Sequence, residues 1–161
     1  MWRLTKPLNI YAGLAALVLL SQGAGAVEPN ASDGVAIQGY DPVSYFREAS
    51  RQQGPKKGDP ALSEPHNGVE YHFASEANRE AFAANPEQYL PEYGGWCAYA
   101  MLDGDKVDVD PQRYKFIDGK LYLFYDGFWG NTLKKWNEKA QGQSDEALVA
   151  QADAQWETLS D

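Results

Sequence analysis

Tyr114-Lys115-Phe116-Ile117-Asp118-Gly119-Lys120-Leu121-Tyr122-Leu123-Phe124-Tyr125 is the stretch that sets the fold class. Two runs rich in aromatic and branched residues flank an Asp-Gly pair. Such a pair closes a tight hairpin, because both turn residues must accept positive φ. The reading predicts an antiparallel hairpin over about residues 114–125. Downstream, helical spacing predicts segments from Thr132 to about Ala140 and from Ser144 to Leu159. The second carries Leu148, Ala152, Trp156 and Leu159 on one stripe that faces the domain.

Working upstream, a helix is expected from Trp96 to about Leu102, between Gly94-Gly95 and an acidic loop from Asp103 to Asp110. Val69 to Phe73 alternates like a strand. Ser75 then caps a helix that runs to about Ala84, with Ala77, Ala81 and Phe82 turned inward. Asn85-Pro86 ends that helix, and residues 86–90 open another short turn. Between Ser50 and Gly68, glycine, proline, lysine and glutamate displace apolar residues, which reads as a long surface loop. Gly39 to Phe46 reads as a turn entering a short helix, with Asp41 as its cap and Pro42 in its first turn. Val27 to Asp33 is expected to be a short frayed arm. Short helices around a small antiparallel sheet make an α+β domain, with a core over about residues 35–156.

The first 26 residues have the layout of a secretory leader. Arg3 and Lys6 precede an apolar run from Ile10 to Leu20, and Ala24-Gly25-Ala26 offers a small-residue cleavage site. A membrane span needs about 20 apolar residues, and this run is shorter. The expectation is a periplasmic or secreted protein beginning at Val27, with no membrane span after cleavage; an uncleaved signal anchor is the alternative. Removing 26 of the 161 residues leaves 135, enough for one domain (27–161) with a real core. Loss of Arg3 and Lys6 leaves 12 basic against 23 acidic residues, moving the formal charge from −9 to −11. That sign disfavours nucleic acid and anionic membrane surfaces as partners, and is compatible with a metal ion or a periplasmic protein. The single cysteine allows no internal disulfide.

The ordered set Gly39-Tyr40-Asp41-Pro42-Val43-Ser44-Tyr45, Tyr71-His72-Phe73-Ala74-Ser75, Asn78, Phe82, Asn85-Pro86-Glu87-Gln88-Tyr89, Tyr93-Gly94-Gly95-Trp96-Cys97-Ala98, Asp118-Gly119-Lys120-Leu121-Tyr122-Leu123 and Trp136 resembles the exported stand-alone YHS-domain proteins of bacteria. The resemblance implies a compact α+β fold related to the YHS and TRASH modules of copper pumps and sensors, and implies no catalytic reaction. The chain departs from the metal-binding modules at Phe73-Ala74-Ser75-Glu76-Ala77, where alanine and serine stand in place of sulfur ligands.

On its own chemistry, Cys97 offers two readings. If residues 96–102 are helical, Met101 shares its face, and the two sulfurs with His72 or His66 would suit Cu(I). Alternatively, Cys97 and Met101 fill core volume. A redox thiol needs exposure and a lowered pKa, and no basic residue flanks Cys97. His72, between Tyr71 and Phe73, is expected on the exposed strand face, and His66 in a turn. No His or Cys spacing matches a closed zinc site. The acidic loop misses the calcium-loop pattern, with Asp108 at the expected glycine and Tyr114 at the expected acid. Cys97 with a histidine lacks a recognisable orienting group, and Asp145 and Glu146 suit a helix start, so the reading is a binding protein rather than an enzyme. The second function class is a partner or small-ligand patch built from Tyr93, Trp96, Tyr99, Phe128 and Trp129, with the last pair the most exposed.

Overall fold

The computed structural model describes residues 27–160, and the expected leader lies outside them. In chain order the elements are β1 (Ala31–Ser32), β2 (Val35–Ala36), α1 (Ser50–Gln53), β3 (Asp59–His66), β4 (Val69–Phe73), α2 (Glu76–Ala84), α3 (Ala98–Met101), β5 (Asp110–Ile117), β6 (Lys120–Phe124), β7 (Asp126–Gly127), β8 (Gly130–Asn131), α4 (Thr132–Gln143) and α5 (Asp145–Ser160). Strands β1-β2-β4-β3 form one sheet, antiparallel except for the β2–β4 pair, and β5–β6 form a separate hairpin. The architecture is the mixed α+β expected, ending in a long helix. No described helix is long and apolar enough to cross a membrane.

The hairpin turns where the Asp-Gly pair places it. Asp118 has φ 50° and Gly119 φ 79°, both left-handed, which matches the right-handed twist of the strands. A Cβ added at Gly119 meets nothing within 4 Å, so the constraint there is backbone strain rather than space. Gly119→Val is therefore expected to cost about 2 kcal/mol, read as a lowered urea midpoint at constant slope. An unchanged midpoint would contradict the turn assignment.

Strand β6 explains how one short hairpin organises the domain. Leu121 and Leu123 point to a core with Val43, Tyr45, Tyr71, Phe73 and Phe82, while Tyr122 and Phe124 point to another with Met101, Trp136, Leu148 and Ala152. A strand buried on both faces reads as a continuous apolar run, which is what Leu121-Tyr122-Leu123-Phe124 is. Each such side chain contributes about 1.5–3 kcal/mol by burial. The second core is finished by Trp136, packed edge-on to Phe124 at 5.5 Å between ring centroids, with its indole N–H donating to Asp145 at 2.7 Å. Lys115 reaches the same carboxylate.

Several expectations are corrected. Eight of the nineteen residues of the predicted 50–68 loop are strand β3. Its Pro60 and Pro65 argue against a central strand, but β3 lies at the sheet edge, where a missing N–H leaves no partner wanting. The N-terminal arm is not frayed: Asn30 donates from its backbone to Gly94 O (2.9 Å) and from its side chain to Gly95 O (3.1 Å) and Asp108 (2.9 Å). Tyr93, Gly94 and Gly95 all hold positive φ, and that left-handed run turns the carbonyls toward the arm. The helix placed at Trp96 begins at Ala98, because Cys97 is still extended at ψ 117°. On α2, Phe82 is buried but Ala77 is exposed. On α5, Leu148 and Ala152 are buried, whereas Leu159 runs off the end of the domain at 38% exposure.

Candidate functional site: an aromatic cleft beside paired cations

The hairpin and the turn after Asp41 meet to make an aromatic-walled cleft of about 430 Å³. On β5, Tyr114 and Phe116 are two residues apart and so share a strand face. From the opposite side, the 3₁₀ turn Ser44–Phe46 presents Tyr45 and Phe46. Tyr45 meets Tyr114 edge-on at 5.1 Å, and Phe46 meets Phe116 at 4.9 Å. Two hydroxyls fix the rings: Tyr45 donates to Pro111 O at 2.8 Å and Tyr114 to Ser50 O at 3.2 Å. Burial, reinforced by the neighbouring Tyr40, Tyr114, Asp110 and Asp41, raises the Tyr45 phenol well above its ordinary value, so it stays a donor at neutral pH. Phe116 stays 37% exposed at the mouth.

Arg47 and Arg51 complete the rim. Arg51 is paired with Glu48 at 3.1 Å. Arg47 instead donates from Nη2 (3.0 Å) and Nε (3.3 Å) to the neutral Asn78 Oδ1. Asn78 is itself anchored, donating to Asp41 Oδ2 at 2.7 Å. Asp41 is fully buried and accepts three further bonds, from the N–H groups of Val43, Ser44 and Ala74 at 2.8, 3.0 and 2.8 Å. The cap expected from the sequence thus also fastens the turn to the corner between β4 and α2. Beyond Arg47 a second, polar cleft of about 190 Å³ opens against Lys56, Ser75 and Asn78.

The four residues singled out for a metal lie in four settings. Cys97 is fully buried; its sulfur lies 3.4 Å from the Thr132 hydroxyl and accepts from the Tyr125 N–H at 3.4 Å. Met101 packs in the other core, with Trp136 and Leu148. His72 lies beside Gly39 and Gly58, with Nε2 on Glu70 at 2.8 Å. It is 8% exposed rather than on an open strand face. A Cβ at Gly58 would fall 2.4 Å from the His72 carbonyl carbon, so backbone covers that face of β4. His66 Nε2 is 3.5 Å from Glu87 and makes no hydrogen bond. Among the described residues no three His, Cys, Asp or Glu side chains are grouped to hold a metal. The donor set does not fit a copper centre: its thiol already has two hydrogen-bond partners and its histidine faces elsewhere. The Cys97 thiol is therefore expected to resist alkylation until the protein unfolds, and Cys97→Ser to cost roughly 1–3 kcal/mol with no Cu(I) affinity to lose. Stoichiometric Cu(I) retention against a chelator, lost in Cys97→Ser, would reverse this.

The aromatic patch expected from the sequence is also divided. Tyr93 is buried against Tyr122 and Trp156, its hydroxyl donating to Asp153 at 2.9 Å. Trp96 and Tyr99 are half-buried against the same core. Phe128 and Trp129 stand out at 89% and 72% exposure on the β7–β8 turn, as expected. The cleft residues Tyr45, Phe46, Tyr114 and Phe116 were missed as a site; the spacing of Tyr114 and Phe116 marked one wall, but nothing in the sequence brought the other wall to it. Comparisons with protein-family models, with curated proteins and with solved structures return no match.

Proposed function

We propose that this chain is an exported, non-catalytic binding module of the YHS type, and that its ligand is a small, flat, apolar molecule held in the aromatic cleft. The observation that carries the reading is the cleft itself: four aromatic rings enclose a concave space with a partly exposed Phe116 at its mouth. Small-molecule sites have this make-up, an apolar lining with a few fixed polar groups. The YHS-type assignment is supported by what its motif residues do, since Asp41, Asn78 and the Asp118-Gly119 turn hold the walls of the cleft in place. Export rests on the pattern of the first 26 residues.

Titration with 2-naphthalenemethanol, followed calorimetrically and by nuclear magnetic resonance, tests the site. Chemical-shift changes are expected to centre on Tyr45, Phe46, Tyr114 and Phe116. Phe116→Ala, which removes only a partly exposed ring, should weaken binding by about five-fold or more. Saturable binding that is untouched by Phe116→Ala would refute the cleft.

The Phe128–Trp129 pair favours a second reading, docking of a partner protein. The turn that carries it is fastened, with Lys135 donating to the Trp129 carbonyl at 2.9 Å. Phe128→Ser with Trp129→Ser separates the two readings, because it should leave naphthalenemethanol binding intact.

A further inference from the structure

We propose that the ligand is an aromatic acid, with its ring in the aromatic cleft and its anionic group in the adjoining polar cleft between Arg47 and Lys56. This rests on the small-ligand reading of the aromatic cleft and names the chemistry of its occupant. Arg47 lines both spaces, so the two clefts adjoin at one guanidinium. The charge pattern points the same way. In a chain with formal net charge −9, six of the twelve described cations, Arg51, Arg79, Arg113, Lys115, Lys120 and Lys134, pair with carboxylates. Among the described residues, Arg47 and Lys56 are two of the six cations without a carboxylate partner, and they are the two that border the 190 Å³ cleft.

Arg47 has donors to spare. A guanidinium carries five N–H groups, and Asn78 Oδ1 engages only Nε and one Nη2 hydrogen. Nη1 and the second Nη2 hydrogen are left for an oxyanion, in the end-on fork geometry that suits carboxylates. Asp41 does not serve as the counter-charge in its stead. Its oxygens are filled by four donors, and the Asn78 amide stands between it and the guanidinium. Lys56 is held in place through its backbone N–H, which donates to Ser44 Oγ at 2.9 Å, and its ammonium is exposed as a point charge. The two walls therefore divide the work, with rings taking the apolar body and cations the acid.

The test is the ratio of affinities for 2-naphthoate and 2-naphthalenemethanol, which share a ring system and differ in charge. The wild-type protein is expected to prefer the acid by about ten-fold or more, a preference that shrinks with added salt. Lys56→Gln and Arg47→Gln should each bring the ratio toward one, and Lys56→Gln alters an exposed side chain whose loss leaves the fold intact, as a thermal melt will verify. A wild-type ratio near one, with both probes bound in the cleft, overturns the aromatic-acid assignment and leaves the small-ligand reading standing. A preference that survives in both variants also overturns it, since the charge would then lie elsewhere. Binding of neither probe removes both readings together.

Discussion

Asp41→Ala is expected to lower the melting midpoint by roughly 10 °C or more, the largest effect of any single polar change in the domain. The Asp41 carboxylate is fully buried and accepts from three backbone N–H groups and from the Asn78 amide. Alanine removes the acceptor, which strips the buried Val43 and Ser44 N–H groups and the part-buried Ala74 N–H and Asn78 amide of a shared partner. Each unsatisfied buried donor costs about 1–3 kcal/mol, and partial relaxation brings the sum to roughly 3–5 kcal/mol. Asp41→Asn keeps the volume but turns an N–H₂ toward donors that need an oxygen, so it should fall between wild type and alanine. A midpoint shift below about 3 °C for Asp41→Ala would show that the turn and the β4–α2 corner are held together by packing instead. In either variant Asn78 loses its anchor, so acid binding at Arg47 should weaken before the protein melts.

The second large effect is expected from Trp136→Ala. Its side chain is fully buried between β6 and the C-terminal helices, and its removal leaves a cavity that the neighbouring Phe124 and Leu148 cannot fill. The cost is about 3–5 kcal/mol, a large part of the stability of a domain this size. Trp136→Phe keeps most of the buried area and loses the indole N–H to Asp145, so it should cost about 1–2 kcal/mol beyond the volume change. The two variants separate cavity from hydrogen bond. The hydrogen bond also carries a pH signature. Burial by itself would raise the Asp145 carboxyl, but hydrogen bonds from Lys115 and Trp136, with the Lys115 charge, outweigh it and hold the group below its ordinary value of 3.8. A carboxyl lowered in the folded state stabilises above its unfolded pKa and loses that contribution as pH falls through the folded value. The gap between wild type and Trp136→Phe should therefore be full at neutral pH and narrow below about pH 4. A gap independent of pH would mean that Asp145 gains nothing from the indole.

Legibility in the sequence followed the range of the interactions involved. The Asp118-Gly119 turn, the Ser75 cap and the Asp41 cap could be read because each is set by residues within a few positions of one another. Strand β3 could not, because its prolines are tolerated only through its place at the sheet edge, which is a property of the sheet. Alternation puts His72 on an open face, yet Gly39 and Gly58 lay backbone over it from other parts of the chain. The cleft was invisible for the same reason. Its walls, Tyr45 with Phe46 and Tyr114 with Phe116, lie far apart in sequence and meet only when both sides of β6 are packed. Cys97 drew attention as the sole sulfur nucleophile, and its enclosure by Tyr125 and Thr132 depends on strands and helices formed after it in the chain.

The edge position of β3 has a consequence for how the protein behaves in a crowded compartment. An unpaired strand edge is a template onto which another chain can add, and repeated addition leads to fibres. Here the outer row is interrupted at Pro60 and Pro65, carries the charges of Asp59 and Glu64, and is bent by a register shift between Asp59 and Ser63. An incoming strand would find donors missing and the ladder out of step. The prolines that hid this strand from a reading of the sequence thus act as a guard against self-association, and a chain with threonine at both positions should fold alike yet form fibrils on prolonged incubation where the native sequence stays monodisperse.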